Sequence, residues 1–377
     1  MLVFLFVIGV SAACNSSSSS TEENNTDRSS ESSSEESASE SNDSDTITIG
    51  AIFPLTGVGA PYGEIFKQGA DFAVEEINDT GGVDGKQLEI DYIDGQADPK
   101  VSATAMQEIS AKGYPFALSS YTGATLSVLP IAERNNVAVI NAGGQGIELA
   151  GASPNLFNTI PIVDLEIKVL AQYLGEETDF ETAYTIYVDD DSGRPALDVF
   201  TEEFAKYGGE VVGSGSHEMG ETNFRSLLID AKSKNPDLLY IASHGQDAKI
   251  IVDQVKEIGL DAQIVNTSWT IIPEIVESPN GQGIITTSVP INPSEEWMTK
   301  FEEKFGTDDP SSYVVFYYDA VNIFAEAYEY AVENDLGTDG EASIQAINDI
   351  KDFEFETGKI TINEDGTSVR DVDISII

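Results

Sequence analysis

The chain has 377 residues, 41% of them hydrophobic, which gives room for two sizeable cores. Its 66 acidic and 19 basic residues give a net charge of −47, which argues against nucleic acid and anionic membrane surfaces as partners. The one cysteine, Cys14, excludes an intrachain disulfide and a thiolate metal cluster. So large an acidic excess also points to a high-salt setting, because the Debye length falls to about 3 Å at 1 M and self-repulsion is then screened.

Residues 1–10 are almost wholly apolar and lead into Ser11-Ala12-Ala13-Cys14. The run is too short to span a bilayer but suits a signal-peptide core followed by a small-residue cleavage site. It resembles a bacterial or archaeal lipoprotein signal (1–14) with Cys14 as the lipidated residue, although Ser11 stands where that motif usually carries Leu. The alternative is a plain secretory signal. Residues 15–45 are nearly all Ser, Glu, Asp, Asn and Thr and read as a disordered acidic tether, since they cannot bury enough apolar area to offset ordering entropy. An anchored Cys14 and a solvated tether would hold the folded body outside the membrane and close to it.

From residue 46 short apolar runs alternate with helix-period segments. Strands are expected over 46–53, 88–93, 115–118 and 137–140. Helices are expected over 62–78, 101–112 and 125–135, with Asp79-Thr80-Gly81-Gly82 breaking the first. The rhythm then restarts, with helices over 164–174, 194–207, 223–232 and 248–258 and strands over 183–188, 210–213, 238–242, 263–266 and 283–288. Helices over 295–305, 313–333 and 342–351 follow, then strands over 359–362 and 371–376. Repeated β-α pairing implies parallel sheets flanked by helices, arranged as two α/β lobes of similar build. The pattern does not reveal which lobe the late helices join.

The turn Leu118-Ser119-Ser120-Tyr121-Thr122-Gly123-Ala124-Thr125 carries the most chemistry. A strand entering a hydroxyl- and glycine-rich turn that opens a helix makes an anion-binding corner, with Thr122 and its neighbour Tyr121 as candidates. The plain alternative is a helix cap. Asn141-Ala142-Gly143-Gly144-Gln145 follows the next strand, where open α/β sheets bind ligands. Gly57-Val58-Gly59-Ala60-Pro61-Tyr62-Gly63 has the wrong spacing for a dinucleotide fingerprint, and Pro61 removes a backbone donor; with Tyr62 at its mouth it fits better as a pocket wall. Asp189-Asp190-Asp191-Ser192-Gly193 could bind a cation or an ammonium group, or simply face solvent. His244 ends a strand and is a hydrogen-bond candidate rather than a metal ligand, whereas His217 is expected at the surface. Trp269 is an apolar wall or a core residue. No hydrolase elbow, P-loop, zincin motif or cysteine nucleophile is present, so neither an enzyme nor a cofactor or metal is expected.

The order of these turns is similar to a known family. It runs through Ala51-Ile52-Phe53-Pro54-Leu55-Thr56-Gly57, Tyr62-Gly63, Gln68-Gly69-Ala70, Gly81-Gly82-Val83-Asp84-Gly85-Lys86, Asp98-Pro99, Thr122-Gly123 and Pro130-Ile131-Ala132-Glu133. From residue 46 onward it resembles the type I substrate-binding proteins of branched-chain amino acid uptake, which serve ATP-binding-cassette importers. The resemblance implies two Rossmann-like lobes, 46–160 with 289–354 and 161–288 with 355–377, joined by three crossings near Ile160, Ser288 and Phe355 and closing by a hinge. It puts Thr122 on a ligand carboxylate, Gly143, Gly144 and Gln145 in the next turn, Tyr62 over the mouth and His244 in the closing lobe. The family's acidic partner for the ammonium group falls near Ser268, which cannot do that job. Either an Asp of 189–191 supplies the charge or the ligand is not a standard α-amino acid. The resemblance thus implies a lipid-anchored extracytoplasmic protein delivering a small polar ligand, most simply an amino acid, to a permease. The alternatives are a sensory binding module, or a binder of amides, urea or aromatic acids.

Overall fold

The computed structural model describes residues 45–377; the signal segment with Cys14 and the tether as far as residue 44 lie outside the described residues. Strand β1 (Thr46–Phe53) is buried from Ile49 to Phe53, as an apolar strand covered on both faces must be. Helix α1 (Ala60–Asp79) starts two residues earlier than the apolar period suggests, with Pro61 in its first turn, where a missing N–H costs no helical bond. After β2 (Gln87–Asp94), Asp98 accepts the N–H groups of Lys100 and Val101 and caps α2 (Pro99–Lys112), which ends at Gly113 with φ +73°. β3 (Phe116–Ser119), α3 (Thr122–Arg134), β4 (Ala138–Asn141) and β5 (Leu156–Asn158) complete a parallel sheet ordered β2-β1-β3-β4-β5. At three residues β5 is too short to show a period in sequence.

The unit is then rebuilt: α4 (Val163–Glu177), β6 (Thr182–Val188), α5 (Gly193–Lys206), β7 (Glu210–His217), α6 (Arg225–Lys234), β8 (Leu238–Ala242), α7 (Gly245–Ile258), β9 (Gln263–Asn266), the single turn α8 (Pro273–Val276) and β10 (Ile285–Ser288). β7 runs four residues past the expected 213. Its Gly-Ser alternation is a poor strand former, but pairing with β6 carries it on, and the Tyr184 ring lies against Gly213.

The late helices pack on the first lobe. In α9 (Glu295–Phe305), Trp297 stacks on Phe301 and meets Phe72 of α1 at 5.3 Å between ring centroids. In α10 (Ser312–Glu333), Phe324 meets Phe116 of β3 at 4.8 Å. After α11 (Gly340–Ile350), the strands β11 (Asp352–Phe355), β12 (Gly358–Ile362) and β13 (Ser368–Val369) form a small antiparallel sheet. The last strand, β14 (Asp373–Ile376), completes the second sheet, ordered β14-β10-β9-β8-β6-β7, and is antiparallel to β10.

The C-terminal segment departs from the expectation that 355–377 lies wholly in the second lobe. The chain folds back at Glu356-Thr357, β12 pairs with β11, and the Asn158 N–H donates to Gly366 O at 2.8 Å. Residues 358–369 therefore stay with the first lobe, and the third crossing falls at 370–372 rather than near Phe355. Arg370 sits in that crossing with its side chain buried and its guanidinium 4.8 Å from the Phe316 ring. Its Nε donates to Thr159 O in the first crossing at 2.8 Å, and its Nη2 lies 2.6 Å from Asp319 Oδ2 of α10.

Candidate functional site

Parallel strands end on one edge of their sheet. The turns after β1, β3 and β4 in the first lobe and after β6, β8 and β9 in the second converge on a narrow cavity with about 20 Å³ of free volume. The first lobe contributes Tyr62, Tyr121, Thr122, Gly143, Gly144 and Gln145, and the second Ser192, His244 and Trp269. Phe66, Gly146, Val163 and Tyr313 complete the wall. Phe66 and Tyr313 lie on apolar helix faces, which in sequence read only as core.

α3 begins at Thr122 rather than at 125, so Thr122 occupies the first turn, at the positive end of the helix. The residue before it, Tyr121, has φ +59° and ψ 141°, a backbone conformation that side chains other than glycine's rarely adopt. The 141–146 turn packs directly onto this corner. A Cβ on Gly144 would stand 2.8 Å from Thr122 N and from the Tyr121 carbonyl carbon, so only glycine fits. Thr122 Oγ1 accepts the Gly146 N–H at 2.9 Å and the Ser192 hydroxyl at 3.1 Å. Both lone pairs are then engaged, and the hydroxyl's own proton is left to donate.

Tyr62 bridges the cleft. Its hydroxyl accepts the Gly245 N–H at 2.9 Å and donates to Trp269 O at 3.1 Å. A Cβ on Gly245 would come within 2.6 Å of that hydroxyl. Burial pushes the Tyr62 phenol well above its usual pKa, outweighing the Gly245 N–H, so the group is a neutral donor and acceptor. The ring of His244 lies 5.1 Å from Tyr121 and 5.2 Å, edge-on, from Trp269, giving the cavity an aromatic floor across both lobes.

Of the three carboxylates 189–191, the middle one faces the cavity's edge. Asp189 lies outside the wall and pairs with exposed Arg194. Asp190 Oδ2 is 3.0 Å from His244 Nε2, and its Oδ1 accepts the N–H groups of Ser192 and Gly193 at 2.8 and 2.9 Å. Burial raises the Asp190 carboxyl, but His244 and the two N–H groups outweigh it and hold it below the ordinary carboxylate range. Ser268 is also outside the wall. It turns away to donate through N and Oγ, each at 2.8 Å, to Glu166. Glu166, fully buried at the start of α4, also accepts from Thr287 Oγ1 and, at 2.5 Å, from Gln145 Nε2. In so acidic a sequence nothing distinguishes Glu166 from a surface carboxylate. His217, expected at the surface, is buried because β7 extends to it: Nδ1–H donates to Glu218 O at 2.8 Å, which leaves Nε2 to accept the Ser243 hydroxyl at 2.9 Å.

Comparison with known proteins agrees with this architecture. The profile of the family described as "Periplasmic binding protein" matches residues 46–375. A Leu/Ile/Val-binding protein homolog 3 from Brucella melitensis is 26% identical over 327 residues, covering 85% of this chain and 88% of that one. The branched-chain amino acid transporter substrate-binding protein LivJ from Streptococcus pneumoniae, solved with isoleucine, superposes with a TM-score of 0.79 at 23% identity, over 88% of this chain and 96% of that one. A solute-binding protein from Rhodopseudomonas palustris, solved with 3,4-dihydroxybenzoic acid, gives a TM-score of 0.79 at 22% identity, over 88% and 93%.

Proposed function

The chain belongs to the periplasmic binding protein family, and from that premise we propose that it captures a small amino acid, branched-chain or related, between its lobes and delivers it to the permease of an ATP-binding-cassette importer. The observation that carries this reading is the Thr122 corner: a hydroxyl with its proton to give, at a helix N-terminus, inside an aromatic cavity at the junction of the lobes. The corner takes the ligand's carboxylate, and the aromatic floor its side chain. A ligand touching both lobes favours the closed arrangement by its differential affinity for it. The relatives reported above are binding proteins, and the same role without catalysis suits this chain.

No helix among the described residues is long and apolar enough to cross a membrane. Attachment at the outer face of the cell membrane rests on Cys14 and the tether, and Cys14→Ser should release the protein from membranes. A second reading, an aromatic carboxylate as ligand, is favoured by the rings of Tyr62, Tyr121, His244 and Trp269 around the same corner. Thermal-shift titration with leucine, isoleucine, valine, benzoate, acetamide and urea separates the two. A ligand at one hundred times its Kd stabilises by about 2.7 kcal/mol. No shift with any amino acid, and a shift with benzoate, would replace the first reading by the second.

A further inference from the structure

Gln145 lines the cavity at only 5% exposure, yet among the described residues its Oε1 has no hydrogen-bond partner. Its amide is oriented from behind. Nε2 donates to Pro161 O at 3.1 Å and to Glu166 Oε1 at 2.5 Å. Pro161 O can only accept, so the nitrogen end must face it and the oxygen end is left over. The main chain adds to this: Gln145 O accepts the Val163 N–H at 2.8 Å, which seats Gln145 at the head of the helix that carries Glu166 less than one turn further on. Glu166 is itself gripped by Ser268 N, Ser268 Oγ and Thr287 Oγ1 and cannot swing away. A buried carboxylate thus stands behind the turn at Ser268, entering from α4 rather than from that turn.

We infer that Glu166 is a positioning residue that fixes Gln145 with its carbonyl oxygen toward the cavity, and so selects ligands presenting a hydrogen-bond donor there, an ammonium group above all, over acids that lack one. The inference rests on the amino-acid reading of the cavity and completes it: the carboxylate end goes to the Thr122 corner and the ammonium end to Gln145. An acid without the ammonium group leaves Oε1 buried and unpaired, while hydrogen bonding of the amide N–H to a carboxylate polarises the oxygen into a better acceptor.

The test is calorimetry with L-leucine and with 4-methylpentanoate, the same skeleton without the ammonium group. The wild-type protein should prefer leucine by roughly 10- to 100-fold. In Glu166→Gln the charge behind the amide is lost and only Pro161 O still holds the nitrogen end, so the preference should fall several-fold toward one. Gln145→Met removes the acceptor at similar volume; it should weaken leucine and leave 4-methylpentanoate within a few-fold. A preference unchanged in both variants, or a wild type that prefers 4-methylpentanoate, overturns the inference. A measurement on the wild type alone stands apart from folding of the variants and from ligand identity. The Gln145 side-chain amide protons, read by NMR hydrogen exchange, should exchange slowly, and rapid exchange overturns the inference even if leucine binds. Slow exchange without leucine binding overturns the amino-acid reading and leaves the acceptor to neutral amides, for which acetamide should be preferred to acetate.

Discussion

The Tyr62 hydroxyl stands 2.9 Å from Gly245 N, so a single phenol from the first lobe receives the opening N–H of a second-lobe helix. Tyr62→Phe keeps the ring and leaves that buried N–H, and Trp269 O, without a partner. The closed arrangement should lose about 1–3 kcal/mol, read as a roughly 5- to 150-fold rise in ligand Kd by calorimetry. Unchanged affinity would remove this bond from closure.

Thr122→Ala removes the donor at the corner and should weaken binding by about 1–3 kcal/mol. Thr122→Ser should restore most of it. Equal affinity in the wild type and the alanine variant would take Thr122 out of the site.

Tyr121 tests the strained backbone. At most positions glycine is less stable than alanine, but at φ +59° the order should reverse. Tyr121→Gly is expected to be more stable than Tyr121→Ala by about 1–2 kcal/mol in urea unfolding, both having lost the ring. The ordinary order would mean that the conformation is not held in solution.

Asp190 sets an acid limb. Its carboxyl is held below the ordinary range in the folded protein, so its contribution is complete above the unfolded value of about 3.9 and is lost as pH falls through the lower folded value. Asp190→Asn should flatten the fall of stability below about pH 4. An identical acid limb in the variant would assign the effect to other carboxylates.

Stability should also rise with salt. With a net charge of −47, self-repulsion acts over about 10 Å at 0.1 M and about 3 Å at 1 M ionic strength. The unfolding midpoint in thermal scans should climb from 0.1 to 2 M KCl. A flat profile would mean that the acidic excess is an ordinary solvated surface.

The alternating apolar period made most strands and helices readable, because buried parallel strands and amphipathic helices impose different spacings on the same residue types. The turns were readable for another reason: parallel strands deliver their C-terminal ends to one edge, which groups Thr122 with Gly143 and Gly144, whereas His244 was set opposite them only by the family resemblance and Trp269 read equally as wall or core. Glu166 was not readable, since its burial depends on Ser268 and Thr287, more than a hundred residues away. Asp190 could not be told from Asp189, because the choice turns on which carboxylate reaches His244. The third crossing was misplaced for a similar reason: β12 could extend into either sheet, and only its partner β11 decides.

The split of both lobes along the chain bears on how the protein is made. During synthesis the second sheet lacks its edge strand β14 until residues beyond Arg370 have emerged. The first sheet, whose strands emerge early, lacks α10 over Phe116 until about residue 333 is made. The nascent chain therefore carries an uncovered apolar sheet face and an open strand edge at the same time, and the two halves must finish together. Holdase chaperones that shield such surfaces should set its folding yield, and neither lobe expressed from its contiguous segment should fold by itself.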